Sequence, residues 1–405
     1  MSTQLSPEMW LRAYAVLALR VNKLLTHSTG GTVLIYRGAA EWSAQVEEEE
    51  PRPPAELVED CAHLLREMPF AETRAAHLSS QLRAMRAMLG GVDGERPPLE
   101  EYARECLGVA AGWQPASVFA VAHDQLDTAL PAGGSLAARL HRWQHAHTLP
   151  PDRSDRLPEL VYRAIAETRA RTDAIVPLPT DTAVDCVLDP GPHRGHYQGG
   201  RRATLYICDS VPVNLADLLY VVAHEGFPGH IAESMLKELH LVERAGLPEH
   251  QIRFMISPSF VVSEGLGLHA QEIVFPGDEA QRWLTDNILN PLGIGPDGSD
   301  FAAIHDARNA LWGAWGNAAF LAAEGRPDAE IIDYLARWAL VSDAEARWAL
   351  DFVRAPGMDV YVLGYYHGWR LLRPWLDHPE RAARVRRLLT ESVLPTELDD
   401  DPHRR

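Results

Sequence analysis

The sequence predicts a mostly α-helical protein: a large helical domain with a central cleft and a small antiparallel β-sheet. Apolar residues recur with a helical period through most of the chain, and Gly or Pro pairs separate the periodic segments. Between residues 175 and 210 the pattern changes to short strand-like runs. Hydrophobic residues make up 46% of the chain, which is ordinary for a globular protein with a full core.

The N-terminal region, residues 1–174, is predicted to be helical apart from one short strand. Residues 5–26 show an amphipathic pattern, and the β-branched run at residues 32–36 predicts the strand. An acidic run followed by prolines at residues 51–54 predicts a solvated linker. Further helices are predicted at residues 55–69, 71–89, 99–112, 115–129 and 134–147.

The second region, residues 175–395, is predicted to begin with the sheet and to continue as helices. Strands at residues 181–188 and 203–208 are expected to pair antiparallel beside the helix that follows them. Asn214 or Asp217 is expected to begin that helix, and Asp217 would suit its N-cap. Later helices are predicted at residues 278–289, 300–324, 328–340, 342–354, 359–376 and 379–392, and residues 396–405 as a charged, frayed tail.

Composition and charge restrict the partners and the compartment. Lys and Arg number 38 and Asp and Glu number 56, so the net charge is −18. This balance argues against nucleic acid and against an anionic membrane surface as partners. No apolar run reaches about 18 residues, no signal-like leader opens the chain, and the four cysteines lack metal-binding spacing. These observations predict a cytoplasmic protein with reduced thiols.

The segment at residues 218–233 carries the side chains most typical of chemistry. An apolar run leads to His224 and Glu225, and His230 follows six residues after His224. Zinc hydrolases use such a His-Glu pair on a helix to place a metal ligand beside a general base. The usual second His comes four residues later, where this chain has Pro228. On an unbroken helix, six residues would separate the two imidazoles by roughly 120° and ~9 Å.

The Pro-Gly pair at residues 228–229 indicates how the two histidines can still meet. Pro lacks an N–H and Gly permits unusual backbone angles, so the pair predicts a kink or bulge in the helix. If two residues are absorbed there, His230 returns beside His224, and Glu225 faces a metal-bound water. The alternative is a helix that ends at Phe227 and leaves two solvated histidines.

A second helical stretch, residues 263–272, supplies a further candidate ligand in Glu264. Where two zinc ligands come from one helix, a Glu from a following helix can complete the set. A third motif follows at Pro356-Gly357, with Tyr361-x-x-Gly364 soon after it. Together the three motifs cover roughly residues 195–375.

These motifs resemble the family catalogued as domain of unknown function 885, whose members look like gluzincin metallopeptidases. Its His-Glu-x-x-Pro-Gly-His motif is matched in full at residues 224–230, and its Glu-Gly pair at Glu264. This chain departs from the family at Leu266 and His269, which stand where the family has Trp and Tyr. The resemblance implies a peptidase with one Zn²⁺ per chain.

The expected roles follow from the chemistry and the resemblance together. His224, His230 and Glu264 would bind Zn²⁺ and leave one position for water. Glu225 would accept the proton of that water and pass it to the leaving group. Tyr361 matches the family Tyr and could donate to the tetrahedral oxyanion, although a buried packing Tyr is the alternative.

Four further residues are weaker candidates for the site. Glu233 is expected to orient the imidazole of His230 from behind, or to lie on a solvated helix face. His269 and His367 are possible site histidines, and Arg370 could hold a substrate carboxylate.

The sequence therefore favours a zinc hydrolase acting on a peptide or a related amide, including a small biosynthetic molecule. One alternative is a non-haem Fe(II) enzyme, because two His and one carboxylate also describe a facial triad. Another is a binding protein with a decayed site. The sequence indicates neither the substrate nor the oligomeric state.

Overall fold

Helices dominate the fold, as predicted. A computed structural model describes residues 5–29, 31–92 and 96–399. The helices are α1 (Pro7–Thr29), α2 (Ala40–Glu47), α3 (Pro54–Arg66), α4 (Glu72–Val92), α5 (Leu99–Leu107), α6 (Ala116–Ala129), α7 (Leu136–Ala146), α8 (Leu157–Ile175), α9 (Leu218–Glu225), α10 (His230–Lys237), α11 (Pro258–Val274), α12 (Glu279–Leu284), α13 (Phe301–Ala323), α14 (Asp328–Trp338), α15 (Asp343–Arg354), α16 (Met358–Leu376), α17 (Arg381–Thr390) and α18 (Pro395–Asp399).

The helices predicted from periodicity are confirmed, with boundaries that follow the Pro and Ser signals. Pro54 opens α3, and Ser342 forms a capping box with Glu345 at the start of α15. Three helices, α2, α8 and α18, were not predicted. The buried stripe of α8 includes Thr168 and Thr172, which bond to carbonyls of their own helix, so its apolar pattern is weak.

The sheet beside α9 is mixed, so the prediction of an antiparallel sheet is wrong. Its strands are β2 (Ala183–Asp189), β3 (Arg194–Gly199) and β4 (Arg202–Cys208), in the order β2-β4-β3. The two predicted strands, β2 and β4, run parallel, whereas β3 and β4 are antiparallel. A tight turn with positive φ at Gly199, Gly200 and Arg201 joins β3 to β4. Strand β2 pairs with the opposite edge of β4, so β4 is the central strand.

A second, two-stranded sheet joins distant parts of the chain. The predicted N-terminal strand is present as β1 (Leu34–Tyr36), and it pairs antiparallel with β5 (Ile252–Phe254). Strand β5 leads directly into the N-terminus of α11. The N-terminal region is thereby attached to the segment that precedes Glu264.

Helix α11 lies in the core and is buried on almost every side. Its contact with α16 depends on two glycines, Gly265 and Gly368. A Cβ on Gly265 would lie 2.4 Å from the carbonyl oxygen of Gly368, so both positions require the absence of a side chain. The two helix backbones therefore pack closely, and their crossing fixes where the side chains of α11 point.

The predicted C-terminal tail is helical in its first residues. Of the predicted frayed tail, residues 396–399 belong to α18, and residues 400–405 lie outside the described residues. Within the described part of the chain, no helix combines the length and apolar character needed to cross a membrane.

Candidate metal centre

The helix that carries the His-Glu pair is interrupted rather than bulged. Helix α9 ends at Glu225, because Gly226 leaves the helical region with φ −103° and ψ −96°, and α10 begins at His230. The turn between them is closed by a hydrogen bond of 2.9 Å from the Gly229 amide to the carbonyl of Ala223. A Cβ on Gly229 would lie 1.7 Å from the carbonyl oxygen of residue 224, so this position accepts only glycine.

The interruption brings the two histidines together. The ring centroids of His224 and His230 are 4.8 Å apart. The helix ends at Glu225, two residues before the end at Phe227 that the alternative interpretation expected. The histidines are nevertheless not solvated, since His224 is buried and His230 is mostly covered.

Glu264 of α11 faces both imidazoles. Its Oε2 lies 3.4 Å from His224 Nε2, and its Oε1 lies 3.6 Å from His230 Nε2. One ligand atom from each of the three residues fits within 4.8 Å of the others. Among the described residues, this is the one group of three or more His, Cys, Asp or Glu side chains whose spacing would allow a shared metal ion.

A glycine on α11 makes room for one of these imidazoles. A Cβ on Gly267 would lie 2.6 Å from His224 Cε1 and 2.8 Å from each ring nitrogen. Real Cβ atoms essentially never approach so closely, so the ring of His224 occupies the space that a side chain at residue 267 would need. Glu264 and Gly267, one helical turn apart, together define the wall of the site.

Glu225 lies beside the cluster, with one oxygen already held. Its Oε1 is 3.9 Å from His224 Nε2, and its Oε2 accepts a hydrogen bond of 2.8 Å from the Gly195 amide. Gly195 belongs to β3, and a Cβ there would lie 2.0 Å from the carbonyl oxygen of Glu225. Strand β3 therefore packs directly against the end of α9 and fixes the orientation of the carboxylate.

A buried polar network supports His230 from behind. The ring Nδ1 of His230 lies 3.2 Å from Ser263 Oγ, which donates to Glu233 Oε2 at 2.5 Å. Glu233 also accepts from Arg253 at 3.0 Å and from Lys237 at 2.7 Å. Glu233 is fully buried, so it does not lie on a solvated face, and it reaches the imidazole through Ser263.

Charge within the network is set by these partners. Burial alone would raise the pKa of Glu233, but Arg253 and Lys237 hold that pKa well below its usual range. Burial would lower the pKa of His230, but the carboxylate of Glu264 outweighs it and raises that pKa to about 9. The carboxylate of Glu264 therefore favours the protonated form of His230, and a cation bound by this ring nitrogen would have to displace the proton.

Tyr361 of α16 contacts the cluster directly. Its hydroxyl donates to Glu264 Oε1 at 2.5 Å. Burial and the neighbouring carboxylate raise the pKa of Tyr361 well above its usual value, so the hydroxyl keeps its proton. Tyr361 is thus more than a packing side chain, and in this structure its donor is used by Glu264.

The other weak candidates lie away from the cluster. His269 is buried, is 2.9 Å from the carbonyl of Trp369, and lines a separate cavity of about 470 Å³. His367 is buried, and burial lowers its pKa to about 4. Arg370 is exposed, with its guanidinium 5.9 Å from the ring centroid of Tyr366. Among the described residues, none of the three contacts the cluster.

Several residues that shape the site were not predicted. Ser263 and Arg253 have no motif of their own, and their roles depend on the tertiary fold. Asp217 was expected to cap α9, but its side chain makes no capping hydrogen bond. Its carboxylate accepts from His305 at 2.8 Å and from Arg308 at 2.7 Å, which ties the start of α9 to α13.

Comparisons with known proteins add information on the fold. No family model matches this chain, and no curated protein matches it in sequence. A solved structure with a similar fold is that of a candidate lipoprotein from Colwellia psychrerythraea, with a TM-score of 0.52 and 15% sequence identity. The match covers 93% of this chain and 67% of that chain, and it concerns the fold alone. The resemblance to the domain of unknown function 885 family therefore stays a prediction.

Proposed function

We propose that this protein is a zinc-dependent hydrolase of peptide or related amide bonds. The observation that carries the proposal is the convergence of His224, His230 and Glu264 beside an oriented carboxylate, Glu225. An oxygenase site has no need for a base next to its ligands, which favours hydrolysis over the non-haem iron alternative.

The three side chains fit a zinc ion in both chemistry and surroundings. Two imidazoles and one carboxylate are ligands that zinc commonly takes in catalytic sites. Glu264 Oε2 is buried and has no hydrogen-bond partner among the described atoms. Its nearest polar contact is His224 Nε2 at 3.4 Å, and a buried carboxylate oxygen without a hydrogen bond is costly unless a cation or another partner satisfies it. His224, His230 and Glu264 would therefore hold the ion.

Glu225 is placed to act as the general base. When bound, zinc acts as a Lewis acid and lowers the pKa of its water to about 7. The amide of Gly195 holds Oε2 of Glu225, so Oε1 remains free to accept a proton and to deliver it to the leaving nitrogen. A fixed carboxylate loses little entropy in this step, because its rotamer is already set.

Tyr361 and the network behind His230 hold the ligands in position. The hydroxyl of Tyr361 orients Glu264, and Ser263 orients His230. Because its hydroxyl stays protonated, Tyr361 can also donate to the oxyanion of a tetrahedral intermediate if it releases Glu264.

Metal analysis and turnover test the proposal. The purified protein should contain about one zinc per chain, and His224→Ala, His230→Ala and Glu264→Ala should each lose it. His269→Ala is the matched control, since it removes a buried histidine outside the cluster and should retain the metal. Iron in place of zinc would support the non-haem iron alternative. The absence of both metals from the purified protein would support a binding protein.

The base is tested separately from the ligands. Glu225→Gln should retain zinc, and its turnover of an amide substrate should fall by about 10²–10⁴-fold, because the glutamine side chain cannot accept the proton. Near-normal turnover would exclude the assigned mechanism. Loss of zinc in this variant would make Glu225 a ligand.

A further inference from the structure

Aromatic side chains form a continuous row that starts at the candidate metal centre. Tyr361, which bonds to Glu264, packs edge-to-face on Tyr365 with ring centroids 5.6 Å apart. Tyr365 stacks on Trp312 at 4.4 Å, and Trp312 contacts Trp315 at 5.0 Å. All four residues are partly exposed.

A cavity of about 190 Å³ lies against the two tryptophans of this row. Its other walls include Tyr220 and the apolar side chains of Leu311 and Leu340. Apolar cavities of roughly 150 Å³ bind benzene, so this cavity has the volume for one aromatic ring and a short stem. Leu340 has a φ of +56°, a conformation rare for residues with a side chain and enriched at functional sites.

The cavity adjoins the candidate metal centre through Tyr220. Tyr220 precedes His224 by four residues on α9, so the two side chains lie on one helix face about 6 Å apart along the axis. The hydroxyl of Tyr220 donates to Asn309 at 2.6 Å, which fixes the ring in the cavity wall. Tyr220 is thus a wall that the cavity shares with the helix that carries His224 and Glu225, and this shared wall is the reason to assign the cavity to the same substrate.

The polar groups of the cavity suit an uncharged aromatic ring. Arg308 lines it with a side chain that is 31% exposed, and one of its nitrogens donates to Asp217 at 2.7 Å. Within the described residues, the other guanidinium nitrogens have no hydrogen-bond partner, so the cation can lie against a ring face. Asp217 already offsets the charge of Arg308, so Glu345, which also lines the cavity, adds a negative charge that disfavours an anionic side chain.

We propose that this cavity, here called the aromatic pocket (Tyr220, Arg308, Trp312 and Trp315), is a specificity subsite for a phenyl or hydroxyphenyl side chain. The substrate class is then an amide or peptide with an aromatic side chain next to the bond that is cleaved. This assignment as a subsite rests on the proposed function, whereas ring binding by the pocket does not require catalysis.

Calorimetry with two matched probes tests the pocket. The full-length protein as purified, carrying Glu225→Gln so that no probe is consumed, is titrated with N-acetyl-L-phenylalanine amide and with N-acetyl-L-alanine amide. The phenylalanine probe should bind about 10- to 100-fold more tightly, as expected for burial of a phenyl ring.

Two variants and a control locate the binding. Ala339→Leu adds bulk to the pocket wall and Trp315→Ala removes a ring contact, and each should remove most of the preference for the phenylalanine probe. Trp113→Ala is the control, because Trp113 is a half-exposed tryptophan that does not line the pocket. If Ala339→Leu fails to fold, Trp315→Ala decides the result.

The outcomes separate this inference from the proposed function. Equal binding of the two probes, no binding of either, or a preference unchanged in both pocket variants overturns the aromatic pocket. A wild-type protein that hydrolyses amides without aromatic preference also overturns the pocket but leaves the hydrolase proposal standing. An intact preference with no turnover by the zinc-containing protein supports the pocket and contradicts the hydrolase.

Discussion

Gly267→Ala tests the metal centre without removing any ligand. The new Cβ would lie 2.6 Å from His224 Cε1, whereas ordinary contacts begin at 3.4 Å, so the ring must retreat by about 0.8 Å. Metal–ligand distances lie within about 0.2 Å of their standard values in well-formed sites. We therefore expect zinc affinity to fall by about 100-fold or more, beyond the 10–100-fold cost of losing a supporting hydrogen bond.

The fold should survive this substitution. Replacing Gly by Ala within α11 favours the helix by about 1 kcal/mol, and overpacking costs about 1–3 kcal/mol. The free energy of unfolding should therefore fall by about 0–2 kcal/mol, too little to explain a loss of metal. Competition with a chromophoric chelator measures zinc affinity, and thermal unfolding measures stability.

Gly364→Ala on α16 is the matched control. A Cβ at Gly364 would meet nothing within 4 Å, so this variant should keep wild-type zinc affinity and gain up to about 1 kcal/mol of stability. If Gly267→Ala binds zinc as tightly as the wild type, His224 is not a ligand in the orientation described, and the metal centre is misassigned.

Two further predictions concern buried charge. Glu233→Gln leaves Lys237 and Arg253 without their buried anionic partner. It should lower the free energy of unfolding by about 3–5 kcal/mol, measured by denaturant unfolding, and zinc affinity by about 10–100-fold, measured by chelator competition. Unchanged stability would show that the fold does not need the network. Burial and nearby cations lower the pKa of His77 from 6.5 to about 4, so the unfolded chain binds more protons between these values and stability falls as pH drops through this window. The loss of stability between pH 7 and pH 4, measured by thermal unfolding, should be smaller in His77→Gln than in the wild type by up to about 3 kcal/mol. An equal loss in the variant would exclude His77 as the source of the pH dependence.

The helices could be predicted because their signals are local. Apolar stripes at helical spacing and Pro or Ser at the boundaries are properties of a few neighbouring residues, as at Ser342 and Glu345 of α15. Helix α8 shows the limit of this method. Buried threonines such as Thr168 satisfy their hydroxyls within the helix, and hydrophobicity alone does not reveal such burial.

The strand pairing could not be predicted because it depends on a segment without strand-like composition. Strand β3 contains two glycines, an Arg and a Gln, and no β-branched residue. The chain reverses direction between β2 and β3 and again between β3 and β4, so β2 and β4 run parallel. This pairing thus depends on an intervening strand that propensity alone does not identify.

The site divides in the same way. The motif placed His224, His230 and Glu264 in one group, and the structure brings these side chains together, while their role as ligands stays a prediction. The space left by Gly267 and the support from Ser263 depend on how α11 packs, which no local pattern encodes. The interruption after Glu225 was predicted in part. Pro and Gly indicated either a bulge or a helix end at Phe227, but not a helix end as early as Glu225.

Strand β1 ties the order of folding to the metal centre. Ile35 pairs with Arg253, about 220 residues away, and Arg253 donates to Glu233 and Ser263 behind His230. Contacts of such long sequence separation close large loops and form slowly. The network behind His230 is therefore complete only after β1 has paired with β5. If the cluster binds a metal ion as proposed, tight capture of that ion should mark the completion of folding rather than an early step that guides it.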